Sequence, residues 1–258
     1  MIDEILGRVQ KELSFLRCWL VPGEGMGDAY IRLRMKASLW DWEPSHDEDR
    51  TLKDAIARIA PQFTMLDLNR LRSLVKGAEE ILRRGVPGAI VECGSWRGGA
   101  LALVDWVFRR RNESRKLFAF DSFEGLPPPG PGDPWMARRC YYPGLCSARP
   151  ADVECALEAL GGPSNQLTIV PGWLSQTLPS TETGPIALLI VDVDWHDSVD
   201  SVLRFTHQRV SKGGLVYFDD YDCWPGCNTA VHNFLEQQGV ARSRLRRVGS
   251  AGAWLDKE

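Results

Sequence analysis

No run of apolar residues in this chain is long enough to cross a membrane as a helix, so a membrane-embedded protein is not expected. Asp3, Glu4, Lys11 and Glu12 interrupt the apolar residues of the N-terminus, which removes a secretory signal core and makes the cytoplasm the expected location. A basic stripe is missing too. The formal net charge is -3, acids and bases are mixed along the chain, and the arginines at 109 to 111 read as a solvated helix end, so nucleic acid is not an expected partner. Nor is there a complete zinc set. The seven cysteines are odd in number, Cys223 and Cys227 are separated by three residues rather than two, and no second Cys or His pair accompanies them. Reduced thiols are expected, and structural zinc and redox catalysis drop out.

What is present suits one large α/β core with appendages: 258 residues, 44% of them hydrophobic and 25% charged. Ile2, Ile5, Leu6, Val9, Leu13, Leu16 and Leu20 recur at helical spacing and predict an amphipathic helix over 2–20 that packs on the domain or on a second subunit. A homo-oligomer, dimer or higher, is the corresponding expectation. Pro22, Gly23, Gly25 and Gly27 then break the chain before an aromatic segment holding Tyr30, Trp40 and Trp42, a candidate lid. Helices are expected at about 51–60 and 65–84, the second stopped by Gly85. Residues 1–84 therefore read as an N-terminal helical extension or lid, and 85–258 as the main domain.

In that domain strands are expected at 89–91, 117–120, 166–170, 186–194, 215–218, 244–248 and 252–256. Helices are expected at 99–110, from Pro150, at 197–210 and at 228–238, with Ser211 to Gly214 as a turn. The alternation predicts an α/β fold, a doubly wound, mostly parallel, seven-stranded Rossmann-like sheet. The proline- and glycine-rich stretch 125–150 reads as a long loop, a candidate lid or substrate loop. Ligands of such sheets bind beyond the carboxyl ends of the strands. Glu92, Asp121, Asp192, Asp194, Asp219 and Asp220 each terminate an apolar strand or follow it directly.

The first of these ends, AIVECGSWRGGA over 89–100, runs ExGxxxGG rather than the GxGxxG that seats a pyrophosphate. Gly94, Gly98 and Gly99 allow a tight turn in which ligand meets bare backbone. The Glu92 carboxylate would repel a pyrophosphate but suits a phosphate-free cation such as S-adenosylmethionine (SAM), with its ammonium and sulfonium. Asp121, at the end of the next strand, is placed to accept both ribose hydroxyls. A nucleotide-dependent oxidoreductase is the alternative, weakened by the absence of a YxxxK pair. A SAM-binding protein without turnover is another.

Asp192, Asp219 and Asp220 lie on two strands separated by one helix, which are expected to be sheet neighbours. Three converging carboxylates call for a hard cation, and an all-oxygen set suits Mg²⁺. A hydroxyl held by Mg²⁺ beside SAM loses its proton more easily and attacks the methyl group, with His196 or Asp194 as alternative general bases.

Taken together, AYIRLRMKASL (29–39), GVPGAIVECGSWRGGA (85–100), FAFDSFEGLP (118–127), PGWLSQTLP (171–179), VDVD (191–194), GGLVYFDDY (213–221) and AWLDK (253–257) resemble the macrocin O-methyltransferase-like (TylF/NovP-type) family, in the family's order. The resemblance implies a SAM-dependent methyltransferase fold and a Mg²⁺-dependent O-methyltransferase of antibiotic biosynthesis with a small natural-product acceptor. It implies that Glu92, Gly94, Ser95, Gly98, Asp121, Ser122, Gly172 and Asp192 line the SAM site, with Trp173 near the adenine. It also implies Mg²⁺ at Asp192, Asp219 and Asp220, and Asp192 as base. The family pattern RLDGDxYEST departs here to IVDVDWHDSV over 190–199: Val193 and His196 replace a glycine and a tyrosine, which predicts an altered wall beside the metal acids and a different acceptor.

Overall fold

The computed structural model describes residues 41–162, 166–249 and 251–258. The helix expected over 2–20 and the aromatic segment up to Trp40 lie outside them. Pro44–Glu258 forms one compact unit, and the boundary read after residue 84 falls inside it.

Two helices lead into the sheet, α1 (Asp47–Ile59) and α2 (Leu68–Arg84). Helix α2 forms because Leu71, Leu74, Val75, Ala78 and Ile81 bury one face, Asp67 caps its start by accepting the Arg70 amide, and Gly85 ends it in the left-handed region. Then follow β1 (Ala89–Cys93), α3 (Gly99–Arg110), β2 (Leu117–Asp121), α4 (Trp135–Cys140), α5 (Pro150–Ala159), β3 (Leu167–Pro171) and α6 (Leu174–Ser180). The chain closes with β4 (Ile186–Val191), α7 (His196–Thr206), β5 (Val210–Phe218), α8 (Pro225–Gln237), β6 (Arg246–Val248) and β7 (Gly252–Asp256).

The seven strands make one sheet in the order β3-β2-β1-β4-β5-β7-β6. The first five are parallel and β7 runs antiparallel to both neighbours. This is the α/β, Rossmann-like, mostly parallel sheet expected. Its central strands β1 and β4 are buried throughout, as strands covered on both faces must be. On one face Val91, Val191 and Phe218 pack with Leu178, Val202 and Leu235 of α6, α7 and α8. Helices α1, α2, α3 and α5 pack against one another on the opposite side.

Three local expectations are corrected. Residues 211–214 are not a separate turn: β5 starts at Val210 and runs through them, with an irregular register against β4 between Ile186 and Leu188. The stretch 125–150 is not a structureless loop, because α4 sits within it and Leu126 donates to the Leu145 carbonyl across its base. The expected strand 186–194 ends at Val191, so Asp192 and Asp194 belong to the connection beyond it. Among the described residues no helix is long and apolar enough to cross a membrane, and the six described cysteines are free thiols.

Candidate active site

The turn after β1 is built around close backbone contact. Gly94 has φ of 83°, and a Cβ there would stand 1.7 Å from the Asp192 carbonyl oxygen. The Gly94 and Ser95 amides both donate to the Phe120 carbonyl, at 2.8 and 3.2 Å, which fastens the turn to β2. Side chains alternate along β1, so while Val91 and Cys93 join the core under α6–α8, Glu92 faces α3 and accepts the Leu101 amide in its first turn. Glu92 is 1% exposed, and its Oε2 has no hydrogen-bond partner; the Ser95 hydroxyl three residues on is also buried and unpartnered. Burial, followed by the charges of Asp121 and Asp219, pushes Glu92 well above the usual carboxylate range. Two orphaned polar groups in one turn, one of them an acid short of a counter-charge, fit the cationic amino-acid end of SAM.

Asp121 is more than a free strand-end acid. Its Oδ2 accepts the Trp96 amide at 2.8 Å and its Oδ1 the Phe123 amide at 2.7 Å, tying the β1 turn to the β2 loop at two residues of positive φ. One acceptor site per oxygen is left for a ligand. Burial raises its pKa against those two bonds. The Ser122 hydroxyl is spent locally, donating to the Gly125 carbonyl at 2.7 Å. Gly172 donates to the Asp121 carbonyl at 2.9 Å, which sets Trp173, the half-buried cap of α6, beside the end of β2.

At the ends of β4 and β5, Asp192, Asp219 and Asp220 offer carboxylate oxygens that all lie within 4.8 Å of one another. Burial comes first in raising all three; Asp219 and Asp220 add repulsion at Asp192, and Asp194 and Asp219 at Asp220. Sequence reasoning missed the cation that answers them. Arg70, in the first turn of α2, pairs through Nη1 with Asp219 Oδ2, while the Tyr217 hydroxyl donates to Asp219 Oδ1 at 3.0 Å. Burial opposes the charge on Arg70, but Asp219 and Asp67 more than offset it and hold its pKa above the ordinary value. The one available signal was its position three residues after the cap Asp67, in the first turn of an amphipathic helix. An all-oxygen trio in excess of its guanidinium fits a hard divalent cation.

Asp194 stands beside this trio. Its amide donates to Asp220 Oδ2 at 3.3 Å, and burial carries its carboxyl up to about 7 against a hydrogen bond from the Trp224 indole. His196 is drawn elsewhere: its Nδ1 meets Asp197 Oδ1 at 2.8 Å, and its amide donates to Asp133 of the 125–150 stretch at 2.8 Å. Trp195 and Val193 are 1% and 5% exposed, so they are packing residues under the site rather than an open wall. The Trp195 indole packs edge-on to Trp224 at 4.8 Å and donates to the Pro127 carbonyl at 2.9 Å. From the β1 turn, the Trp96 indole donates to the Ser147 carbonyl at 3.2 Å, so the two ends of the stretch are clasped by two tryptophans.

Residues 26–257 match the family model described as Macrocin-O-methyltransferase (TylF). The chain is 34% identical over 220 residues to the 8-demethyl-8-(2,3-dimethoxy-alpha-L-rhamnosyl)-tetracenomycin-C 4'-O-methyltransferase of Streptomyces olivaceus, covering 84% of this chain and 83% of that one. It is 32% identical to the mycinamicin III 3''-O-methyltransferase of Micromonospora griseorubida, over 69% of this chain and 72% of the relative. Among solved structures, the O-methyltransferase NovP superposes with a TM-score of 0.72 at 26% identity, covering 90% of this chain and 98% of NovP.

Proposed function

From the premise that this chain belongs to the macrocin-O-methyltransferase family and is a SAM-dependent O-methyltransferase, we propose that it methylates a hydroxyl of a glycosylated natural-product intermediate with the help of Mg²⁺. One observation carries the metal: Asp192, Asp219 and Asp220 present oxygens within 4.8 Å of one another, a hard-cation donor set at the ligand edge of the sheet. Bound there, Mg²⁺ supplies Lewis acidity that lowers the pKa of an acceptor hydroxyl.

The chain's own groups divide the remaining work. The Glu92 carboxylate holds the ammonium of SAM, satisfying its unpartnered Oε2, and the Ser95 hydroxyl gains its missing partner at the same end. Asp121 accepts the ribose hydroxyls with the lone pairs left by its two backbone bonds, Trp173 lies beside the adenine, and Gly94, Gly98 and Gly172, all at positive φ and packed against the chain itself, shape the turns around the cofactor rather than offering it bare backbone. Asp194 takes the proton as the acceptor oxygen attacks the methyl carbon in line with the departing sulfur. It is favoured over Asp192, which belongs to the trio, and over His196, because its amide bonds to Asp220 of the trio whereas His196 is bound through Nδ1 to Asp197 and through its amide to Asp133. The acceptor class is supported by relatives whose names give a rhamnosyl-tetracenomycin and mycinamicin III as their substrates.

Two measurements test the reading. Calorimetry with S-adenosylhomocysteine should show binding to the metal-free protein, and methyl transfer to glycosylated acceptors such as a rhamnosyl-tetracenomycin or mycinamicin III should stop with a chelator and return with Mg²⁺. Full activity in the chelator would remove the metal from the mechanism.

A further inference from the structure

Arg70 stands outside every motif in the sequence, yet it is the cation that acts on all four acids of the cleft, Asp192, Asp194, Asp219 and Asp220. Its side chain is 16% exposed and that of Asp219 3%. The guanidinium has two further contacts: Nε lies 3.3 Å from Asp67 Oδ2 as an ion pair without a hydrogen bond, and Nη2 donates to the Met65 carbonyl at 3.4 Å. With Nη1 on Asp219 Oδ2 and the Tyr217 hydroxyl on Oδ1, both oxygens of this candidate ligand already have donors before any ion arrives. A divalent ion at the trio therefore shares Asp219 with a positive charge that Asp67 and the Met65 carbonyl, both just ahead of α2, also engage. Two consequences follow from Coulomb's law: the guanidinium relieves the repulsion among the acids when no ion is present, and it opposes the ion when one binds.

We propose that Arg70 is a built-in counter-cation, a positioning residue that holds Asp219 in the ion-free protein and weakens the cleft's affinity for a divalent cation, so that the ion exchanges instead of becoming permanent. The inference rests on the metal reading above. Its test uses the full chain stripped with a chelator and titrated with Mg²⁺ by calorimetry, alongside melting temperatures with and without the ion. Arg70→Gln keeps a donor toward Asp219 and removes the charge; Mg²⁺ should bind it about tenfold more tightly and raise its melting temperature more than that of the wild type. Arg70→Lys keeps the charge, and its affinity should stay within about threefold of wild type. A purely structural Arg70 would give a lower melting temperature for Arg70→Gln with equal or weaker Mg²⁺ binding, and that result would overturn the proposal. If Arg70→Gln does not fold, Asp67→Asn preserves the helix cap and removes the charge that offsets Arg70; Mg²⁺ should bind it about twofold more weakly, and unchanged affinity would count against the proposal. A wild-type protein that shows neither heat nor a melting shift with Mg²⁺ would refute the metal reading itself, a different outcome from wild-type binding that the Arg70 variants leave unaltered.

Discussion

Replacing Gly94 by alanine tests whether the turn after β1 is as tightly coupled to the acid cluster as its geometry indicates. At φ of 83° an L-residue pays about 1–2 kcal/mol for the left-handed conformation. The new methyl would stand 1.7 Å from the Asp192 carbonyl oxygen and 2.7 Å from its carbon, main-chain atoms that cannot swing aside. Relieving that overlap means separating the ends of β1 and β4, at about 1–3 kcal/mol for an overpacked interior. The total, about 2–5 kcal/mol, corresponds to a melting temperature lower by roughly 5–15 °C in a chain of this size. Because the Asp192 amide donates to the Cys93 carbonyl at 2.9 Å, the same displacement moves the candidate metal ligand, so affinity for both S-adenosylhomocysteine and Mg²⁺ should fall. Gly85→Ala is the control: its φ is 64° but nothing lies within 4 Å of the added methyl, so only the conformational cost of about 1 kcal/mol, roughly 3 °C, should appear, with ligand binding intact. Thermal unfolding by circular dichroism and calorimetric titration read both effects. A Gly94→Ala protein that melts within about 3 °C of wild type and binds S-adenosylhomocysteine equally well would refute the reasoning.

Asp219→Ala strands a buried guanidinium and should cost about 3–5 kcal/mol in urea unfolding, whereas Asp220→Asn keeps an acceptor for the Asp194 amide and should lose Mg²⁺ binding with a much smaller stability change; equal destabilisation of the two would contradict the Arg70 pairing. Glu92, raised by burial, keeps in the folded state a proton that the unfolded chain releases above about pH 4.3, so ligand-free stability should fall as pH rises from there. Glu92→Gln should flatten that fall and weaken S-adenosylhomocysteine binding about tenfold, and an unchanged slope with unchanged binding would count against its role. Trp96→Phe removes the bond to Ser147 and should cost no more than about 1.5 kcal/mol while speeding protease cleavage within 125–149; an unaltered digestion pattern would mean the clasp holds nothing. With Asp194 as base, the rate should drop as pH falls through its pKa, about 7 without the ion and lower with Mg²⁺ bound, and Asp194→Asn should abolish that limb.

The repeating apolar strands and the glycines after β1 made the sheet and its ligand edge legible, because both are local properties: a strand buried on both faces must be continuously apolar, and a turn at positive φ selects glycine. Element ends were less legible. Asp192 and Asp194 were read as part of β4 because nothing in VDVD marks where hydrogen bonding to a neighbour stops. Lys212, Gly213 and Gly214 looked like a turn because a strand irregularity and a turn use the same residues. The helix α4 inside 125–150 carries no apolar stripe long enough to register.

By itself the sequence determined the α/β architecture, the family and the gathering of acids beyond the carboxyl ends of the strands, since alternation of elements, local turn chemistry and residue type need no knowledge of distant neighbours. Tertiary structure alone decided what each acid meets. Asp121 spends one site of each oxygen on two backbone amides, Ser122 is consumed by its own loop, His196 turns to Asp197, and Asp219 is held by an arginine 149 residues away in sequence. Such pairings depend on how α2 crosses the sheet and how the 125–150 stretch folds back over it, and a pairing between distant segments leaves no periodicity in either one.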